Sequence, residues 1–287
     1  MEHALFDKTI AEYDRHFTEW WGRVFKEYRE GGKDRLWLAG PSSYVFALGG
    51  LRFAVDLQVR RECDLAKVKD TLVEDLAGLS FILITHQHDD HMCIPLMQKL
   101  KDSDIHWYLP ARTRADLVEA SGLRPEKMTF LEPGDILSFG EVTIRAFRTP
   151  HLGAGADQSQ FPELGYEILT PRGRVLLPAD VRDYSYTDYP DFGEVDLCLA
   201  HVWGGNNALD SDLYLPMLKE CGAFFARFRA KRYLFGHLYE IGRPDLYMWH
   251  KGHAEIVAEE ICGALPDAVA FAGEIGCGYQ LFEEAAR

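Results

Sequence analysis

The chain is poor in the devices that small secreted and membrane proteins rely on. Its six cysteines, Cys63, Cys93, Cys198, Cys221, Cys262 and Cys277, are scattered through 287 residues and never form a Cys-x-x-Cys pair. That spacing argues against a disulfide framework and a four-cysteine zinc site, and buried free thiols are the ordinary expectation. No apolar run approaches the length of a membrane span. The N-terminus lacks the architecture of a signal peptide, so cytoplasmic residence is expected. Positive charge is also short: 31 Lys and Arg stand against 45 Asp and Glu, a net charge of −14. A mean field of that sign repels nucleic acid and anionic membrane, but it does not exclude a small anionic substrate at a local cluster of metal ions. There is no Ser/Pro/Gly-rich linker and no repeat.

What is present is enough to build a core. Hydrophobic residues make up 47% of the chain, the proportion of an ordinary globular protein. Residues 4–29 read as an amphipathic helix, with Phe6, Ile10, Tyr13, Phe17, Trp20, Val24 and Tyr28 at three- and four-residue steps, ended by Gly31-Gly32. It carries both charge signs, which disfavours membrane docking. Packing against the body of its own chain is expected. The alternatives are a homo-oligomer interface or a pocket wall anchored by Trp20 and Trp21. Strands are expected at 36–39, 44–48, 51–55, 81–84, 107–109, 142–147, 166–169, 175–177, 196–200 and 233–235. Helices fit 64–77, 93–100, 112–120, 210–228 and 251–263. The division expected is an N-terminal helical extension, residues 1–32, and one domain of mixed strands and helices, residues 33–287.

The densest chemistry is His86-Gln87-His88-Asp89-Asp90-His91, directly after the apolar run Phe81-Ile82-Leu83-Ile84. Three imidazoles and a carboxylate within six residues are hard to explain as packing, and they are ligands that Zn²⁺, Fe²⁺ and Mn²⁺ accept. The pattern repeats in weaker form. Strand 142–147 runs into His151, the hairpin 166–177 into Asp180, and strand 233–235 into His237. Each time an apolar run stops, a metal-competent side chain follows, which would fix ligands on rigid elements along one open rim.

With these motifs in this order, residues 36–240 resemble the metallo-β-lactamase superfamily. Asp56, in Phe53-Ala54-Val55-Asp56, matches its first motif, a residue that usually orients a ligand. His86-x-His88-x-Asp90-His91 matches the second, and His151, Asp180 and His237 the third to fifth. The resemblance implies an α/β fold, an αββα four-layer sandwich of two mixed sheets. It implies that His86, His88 and His151 hold one metal, that Asp90, His91 and His237 hold another, and that Asp180 bridges them. Several true β-lactamases carry cysteine where this chain has Asp180, which argues against antibiotic hydrolysis. The oxygen-reducing di-iron branch carries glutamate where this chain has His88. Trp37-Leu38-Ala39-Gly40-Pro41-Ser42-Ser43 resembles the subgroup of ascorbate-6-phosphate lactonase and N-acyl phosphatidylethanolamine phospholipase D. That subgroup, however, tends to have Gly-His-Ser and Asp-Pro where this chain has Gly40-Pro41-Ser42 and Asp56-Leu57.

Two divalent ions, zinc first and manganese or iron next, would acidify a bridging water without a serine nucleophile or lysine base. The expected activity is hydrolysis of a small phosphoester or phosphorylated lactone, with Asp90 orienting the hydroxide. The alternatives are a mononuclear iron oxygenase of thiol-related chemistry and a non-catalytic metal-binding protein. His201, also at a strand end, is read as a proton donor or substrate contact, beside the alternative of a buried structural histidine. Trp203-Gly204-Gly205-Asn206-Asn207 reads equally as a substrate loop and as an ordinary turn. Tyr239 and Arg243 are phosphate-binding candidates weighed against surface polarity, and His250 and His253 are expected at the surface. The basic run 227–232 is expected to be a solvated helix end.

Overall fold

The structure, a computed structural model, describes residues 10–59, 62–204, 211–240 and 248–282. Phe6, Arg243 and Gly205-Asn206-Asn207 lie outside the described residues, as do the side chains of Ile10 and Tyr13. Two seven-stranded mixed sheets pack face to face. The first has the order β14 (Gly278–Gln280), β1 (Arg35–Leu38), β2 (Tyr44–Leu48), β3 (Leu51–Val55), β4 (Phe81–Leu83), β5 (His106–Pro110) and β6 (Met128–Leu131). The second runs β13 (Val269–Ala272), β12 (Ala230–Gly236), β11 (Val195–His201), β10 (Gly173–Leu177), β9 (Leu164–Thr170), β8 (Val142–Arg148) and β7 (Ile136–Phe139).

Helices cover the sheets. α1 (Ile10–Glu30) packs on β1, α2 (Glu62–Val68) and α3 (Leu72–Asp75), and α4 (Ile94–Leu100) contacts α2 and α5 (Ala115–Ser121). On the other face α6 (Ser211–Ala226) packs against α7 (Lys251–Ala264), which lies on β13. This is the four-layer sandwich expected. Among the described residues no helix is long and apolar enough to cross a membrane.

The helix at the N-terminus buries Phe17, Trp21, Val24, Phe25 and Tyr28, while Trp20 stays half-exposed. The buried stripe therefore runs through Trp21, not Trp20. Trp21 Nε1 donates to Asp75 Oδ2 at 2.8 Å, and Arg29 pairs with the other Asp75 oxygen at 2.6 Å. Tyr28 meets the Trp37 ring edge-on at 6.1 Å. Large aromatics buried in this way contribute roughly 1.5–3 kcal/mol each, so α1 is stitched to the first sheet by its apolar face.

The single helix expected over 64–77 is two pieces. The Thr71 hydroxyl bonds the Val68 carbonyl at 3.3 Å and Asp75 Oδ2 at 2.8 Å, and a new turn begins there. Strands β6, β7, β13 and β14 add to those the sequence pattern marks. All are short and lie at or beside sheet edges, where exposure blurs the alternation that marks a strand. The basic run 227–232 ends inside β12, with Arg232 bonding the Gln280 carbonyl at 3.0 Å, so it is only partly a helix end.

Candidate metal centre

Every predicted ligand lies just past the C-terminal end of a strand. β4 leads into the turn Thr85–His91, β8 into His151, β10 into Asp180 and β12 into His237. The turn is pinned at its start, where Asp56 N donates to Leu83 O and Leu164 N to Thr85 O, both at 2.9 Å. His91 N and Met92 N close back on the His88 carbonyl at 3.0 and 2.7 Å. The Ser42 hydroxyl holds the Asp90 carbonyl at 3.0 Å, and His237 N donates to Pro41 O at 2.6 Å. The Gly40-Pro41-Ser42 turn thus supports the site through hydroxyl and backbone groups.

The seven side chains converge in one continuous cluster, which the resemblance divides into two groups; the His86 and His91 rings, one from each, are 4.0 Å apart. In the first, His86 Nε2 lies 3.0 Å from His88 Nδ1, and the His151 ring sits 4.5 and 4.8 Å from those two rings. In the second, His91 Nε2 and His237 Nε2 are 3.3 Å apart, and Asp180 Oδ2 is 3.2 Å from each. Asp90 Oδ2 completes it, 3.4 Å from His237 Nε2. Four donors at 2.0–2.1 Å around a tetrahedral ion stand about 3.3 Å apart. The triangle of His91, His237 and Asp180 has these edges, so the residues fit a bound cation. Asp180 Oδ2 also lies 3.9 Å from His86 Nε2, at the seam between the groups.

Outer partners fix the rings. Asp56 Oδ2 sits 2.7 Å from His91 Nδ1, and the same carboxylate accepts from Thr85 N at 2.8 Å and Thr85 Oγ1 at 2.6 Å. A carboxylate on Nδ1 keeps the proton there and leaves the Nε2 lone pair for a metal. That contact has the geometry the orienting role implied by the resemblance requires of Asp56.

Backbone strain marks the same places. Asp56, Ala179 and His237 have φ of +49°, +59° and +60°. Such left-handed non-glycine residues cost of order 1–3 kcal/mol and persist where surrounding structure over-determines them. Gly236 is required beside them, because a Cβ there would lie 2.0 Å from the Tyr44 hydroxyl oxygen.

Burial and mutual charge set the protonation of the ion-free cluster. Burial, with His91 close by, drives the His86 imidazole down to about 4. Burial opposes charge on His237 too, but Asp180 and Asp90 outweigh it and push that ring up to about 10. Burial likewise resists ionisation of Asp180, yet His237 and His91 hold its carboxyl well below the usual range. A cation entering the second group would displace the protons held there.

His201 is placed behind Asp180, 2% exposed. Its Nδ1 lies 2.6 Å from Asp180 Oδ1 and its Nε2 lies 3.0 Å from the Tyr44 hydroxyl, so both ring nitrogens face protein. This buried, doubly hydrogen-bonded ring has the geometry of the alternative reading rather than that of a proton donor or substrate contact. Only one oxygen of Asp180, Oδ2, is left for both groups. Sequence reasoning also missed Glu163, whose carboxylate is fully buried behind His86 and His151, and Glu240, whose carboxylate reaches the Asp90–His237 pair. Glu163 precedes β9 at a strand start, where a search of strand ends does not look.

The remaining candidates fall into structural positions. Tyr239 is buried, donating its N–H to the Trp249 carbonyl at 2.8 Å, and its oxygen accepts from Lys251 N at 3.1 Å. His250 and His253 are buried, not superficial. His250 Nδ1 accepts from Gly252 N and His253 Nδ1 from His250 N, both at 3.2 Å, a reciprocal cap on α7. Trp203 stacks near His151 and His237, ring centroids 6.2 and 5.6 Å away, and Phe161 covers His151 at 4.5 Å. These two rings wall the cluster, and His88 is its most open member.

The pattern of the beta-lactamase superfamily domain matches residues 57–238, more than half of the chain, and the chain belongs to that family. A UPF0173 protein of Pyrococcus abyssi is 33% identical over 139 residues, which are 47% of this chain and 58% of that protein. The chain thus spans less than two thirds of that relative's length. Among solved structures, Igni18, a metallo hydrolase of the archaeon Ignicoccus hospitalis, superposes over 85% of this chain and 97% of its own with a TM-score of 0.54 at 15% identity. CmlA, a diiron beta-hydroxylase of Streptomyces venezuelae, superposes over 88% of this chain and 55% of its own with a TM-score of 0.57, also at 15% identity. At that identity both establish the shared fold and nothing more.

Proposed function

We propose that the protein is a hydrolase that holds two divalent ions, zinc first and manganese or iron next, and cleaves a small anionic substrate, a phosphoester or phosphorylated lactone. The observation that carries this reading is Asp180 Oδ2, 3.2 Å from His91 Nε2 and His237 Nε2 and 3.9 Å from His86 Nε2. One oxygen faces two groups of donors. His86, His88 and His151 would hold one ion and Asp90, His91 and His237 the other, with Asp180 between them. Ions so placed supply an acidified water and a clamp on the oxygens of the bond being broken.

The chain's own residues do the rest. Asp90 turns Oδ2 to His237, and its second oxygen would orient the attacking water. Trp203 and Phe161 keep the cluster dry on two sides, which strengthens every electrostatic contact inside. With a net charge of −14 the surface disfavours long polyanions, while the local ions favour a small one. The shared fold of Igni18, named a metallo hydrolase, is consistent with this chemistry. The fold is equally that of the diiron hydroxylase CmlA. Here the presence of His88, where the oxygen-reducing branch carries glutamate, favours hydrolysis.

Elemental analysis of protein purified without chelator, combined with a panel of phosphodiesters, phosphorylated lactones and thioesters, tests the proposal. About two equivalents of metal and turnover of a small phosphoester or lactone are expected. Metal near zero, with no uptake on titration, would overturn it. Iron accompanied by oxygen consumption would move the protein to the oxygenase reading.

A further inference from the structure

Glu163 is buried with no exposed side-chain surface, in a protein whose charged residues otherwise lie mostly outside. Its two oxygens divide the work. Oε2 lies 3.2 Å from His151 Nδ1, and Oε1 lies 3.3 Å from His86 Nδ1 while accepting from Asp180 N at 2.8 Å. One carboxylate is therefore hydrogen-bonded to His151, in ion-pair contact with His86, and bonded to the backbone that carries Asp180. Its counterpart in the second group is Asp56, which lies 2.7 Å from His91 Nδ1 and reaches His86 only through the Thr85 hydroxyl, which donates to Asp56 Oδ2 at 2.6 Å and lies 3.1 Å from His86 Nδ1.

We infer that Glu163 is the positioning residue for the ion held by His86, His88 and His151, and that Asp56 and Glu163 set the affinities of the two halves separately. This rests on the two-ion reading above. The chemistry is tautomeric. With Glu163 on His151 Nδ1, and both Glu163 and the Thr85 hydroxyl oxygen beside His86 Nδ1, the two rings keep their protons on that side and aim Nε2 lone pairs at the ion. In Glu163→Gln the amide can still accept at one end, from Asp180 N and His86. At the other end its N–H₂ donates to His151 Nδ1, which forces the proton onto Nε2 and removes the lone pair the ion needs.

Zinc binding measured against a competing chelator tests this. Wild type should take up two ions. Glu163→Gln should lose about 10–100-fold in affinity for one of them, the usual cost of removing such a partner, and leave the other unchanged. In a His237→Ala background, which weakens the second half, Glu163→Gln should remove most of the remaining tight binding. In a His88→Ala background it should change little. Melting of the ion-free proteins reads any purely structural loss, which would lower the midpoint without splitting the two affinities. Should Glu163→Gln fail to fold, Glu163→Asp, which keeps the charge but is one methylene shorter, should weaken the same ion. Equal weakening of both ions, or of neither, in a wild type that binds two overturns the inference. Uptake of fewer than two ions by wild type overturns the reading beneath it.

Discussion

His201 Nδ1 lies 2.6 Å from Asp180 Oδ1, so one of the two carboxylate oxygens is committed to an imidazole behind it. Burial lowers the His201 pKa, which keeps that ring neutral with its single proton on the Asp180 side. Nε2 is then the acceptor for the Tyr44 hydroxyl at 3.0 Å. This chain of three groups leaves Asp180 Oδ2 facing the two imidazole groups and stops the carboxylate from turning.

From this follows an expectation for His201→Ala. Asp180 would be free to rotate, zinc affinity should fall about 10–100-fold, and turnover should fall with it. Tyr44→Phe, one bond further from the cluster, should lose less. Parallel measurement of zinc affinity and kinetics is decisive: full metal affinity with turnover reduced ~10²-fold would return His201 to the role of proton donor.

The reciprocal cap on α7 makes stability depend on pH. Burial, reinforced by His250, lowers the His253 pKa to about 3, whereas an unfolded histidine titrates near 6.5. The unfolded chain therefore binds the proton first as pH falls. The stability is fully present above about 6.5 and is lost progressively as pH drops toward about 3. By pH 5 the loss is of order 1–2 kcal/mol. His253→Asn offers an acceptor without a proton to gain, so its melting midpoint should fall less between pH 7 and pH 5 than that of wild type. Parallel curves for the two proteins would show that His253 does not titrate there.

Asp180 stands where several β-lactamases place a cysteine, and its second oxygen is tied to His201. Penicillin and cephalosporin hydrolysis should therefore be negligible beside that of a small phosphoester. Efficient loss of β-lactam absorbance with purified, zinc-loaded protein would reverse this expectation.

Much of the site was legible because a strand end can be read from its own residues. Ile82-Leu83-Ile84 stops and His86 follows, and the same local grammar finds His151, Asp180 and His237. Glu163 was invisible because it meets His86 across 77 positions of chain, through the bond of Leu164 N to Thr85 O that brings the two sheets together. His253 was misplaced for a related reason. A histidine near a helix start looks solvated, but the His253 ring packs on those of Trp249 and His250, 4.9 and 4.1 Å away, while the Tyr239 hydroxyl holds the helix start at Lys251 N. The break at Thr71 was missed because it turns on a hydroxyl choosing the Val68 carbonyl and Asp75 over continued helix.

The sequence by itself determined the ligand types, their order, and their placement after apolar strands, because alternation and side-chain chemistry are local properties. Only the tertiary structure decided which atoms of the candidate site face one another. The register that pairs His201 with Gly236 sets the histidine beside His237 and behind Asp180. Packing of one sheet on the other likewise brings Glu163 beneath two imidazoles. Such assignments depend on distances between segments far apart in the chain, which no local pattern encodes.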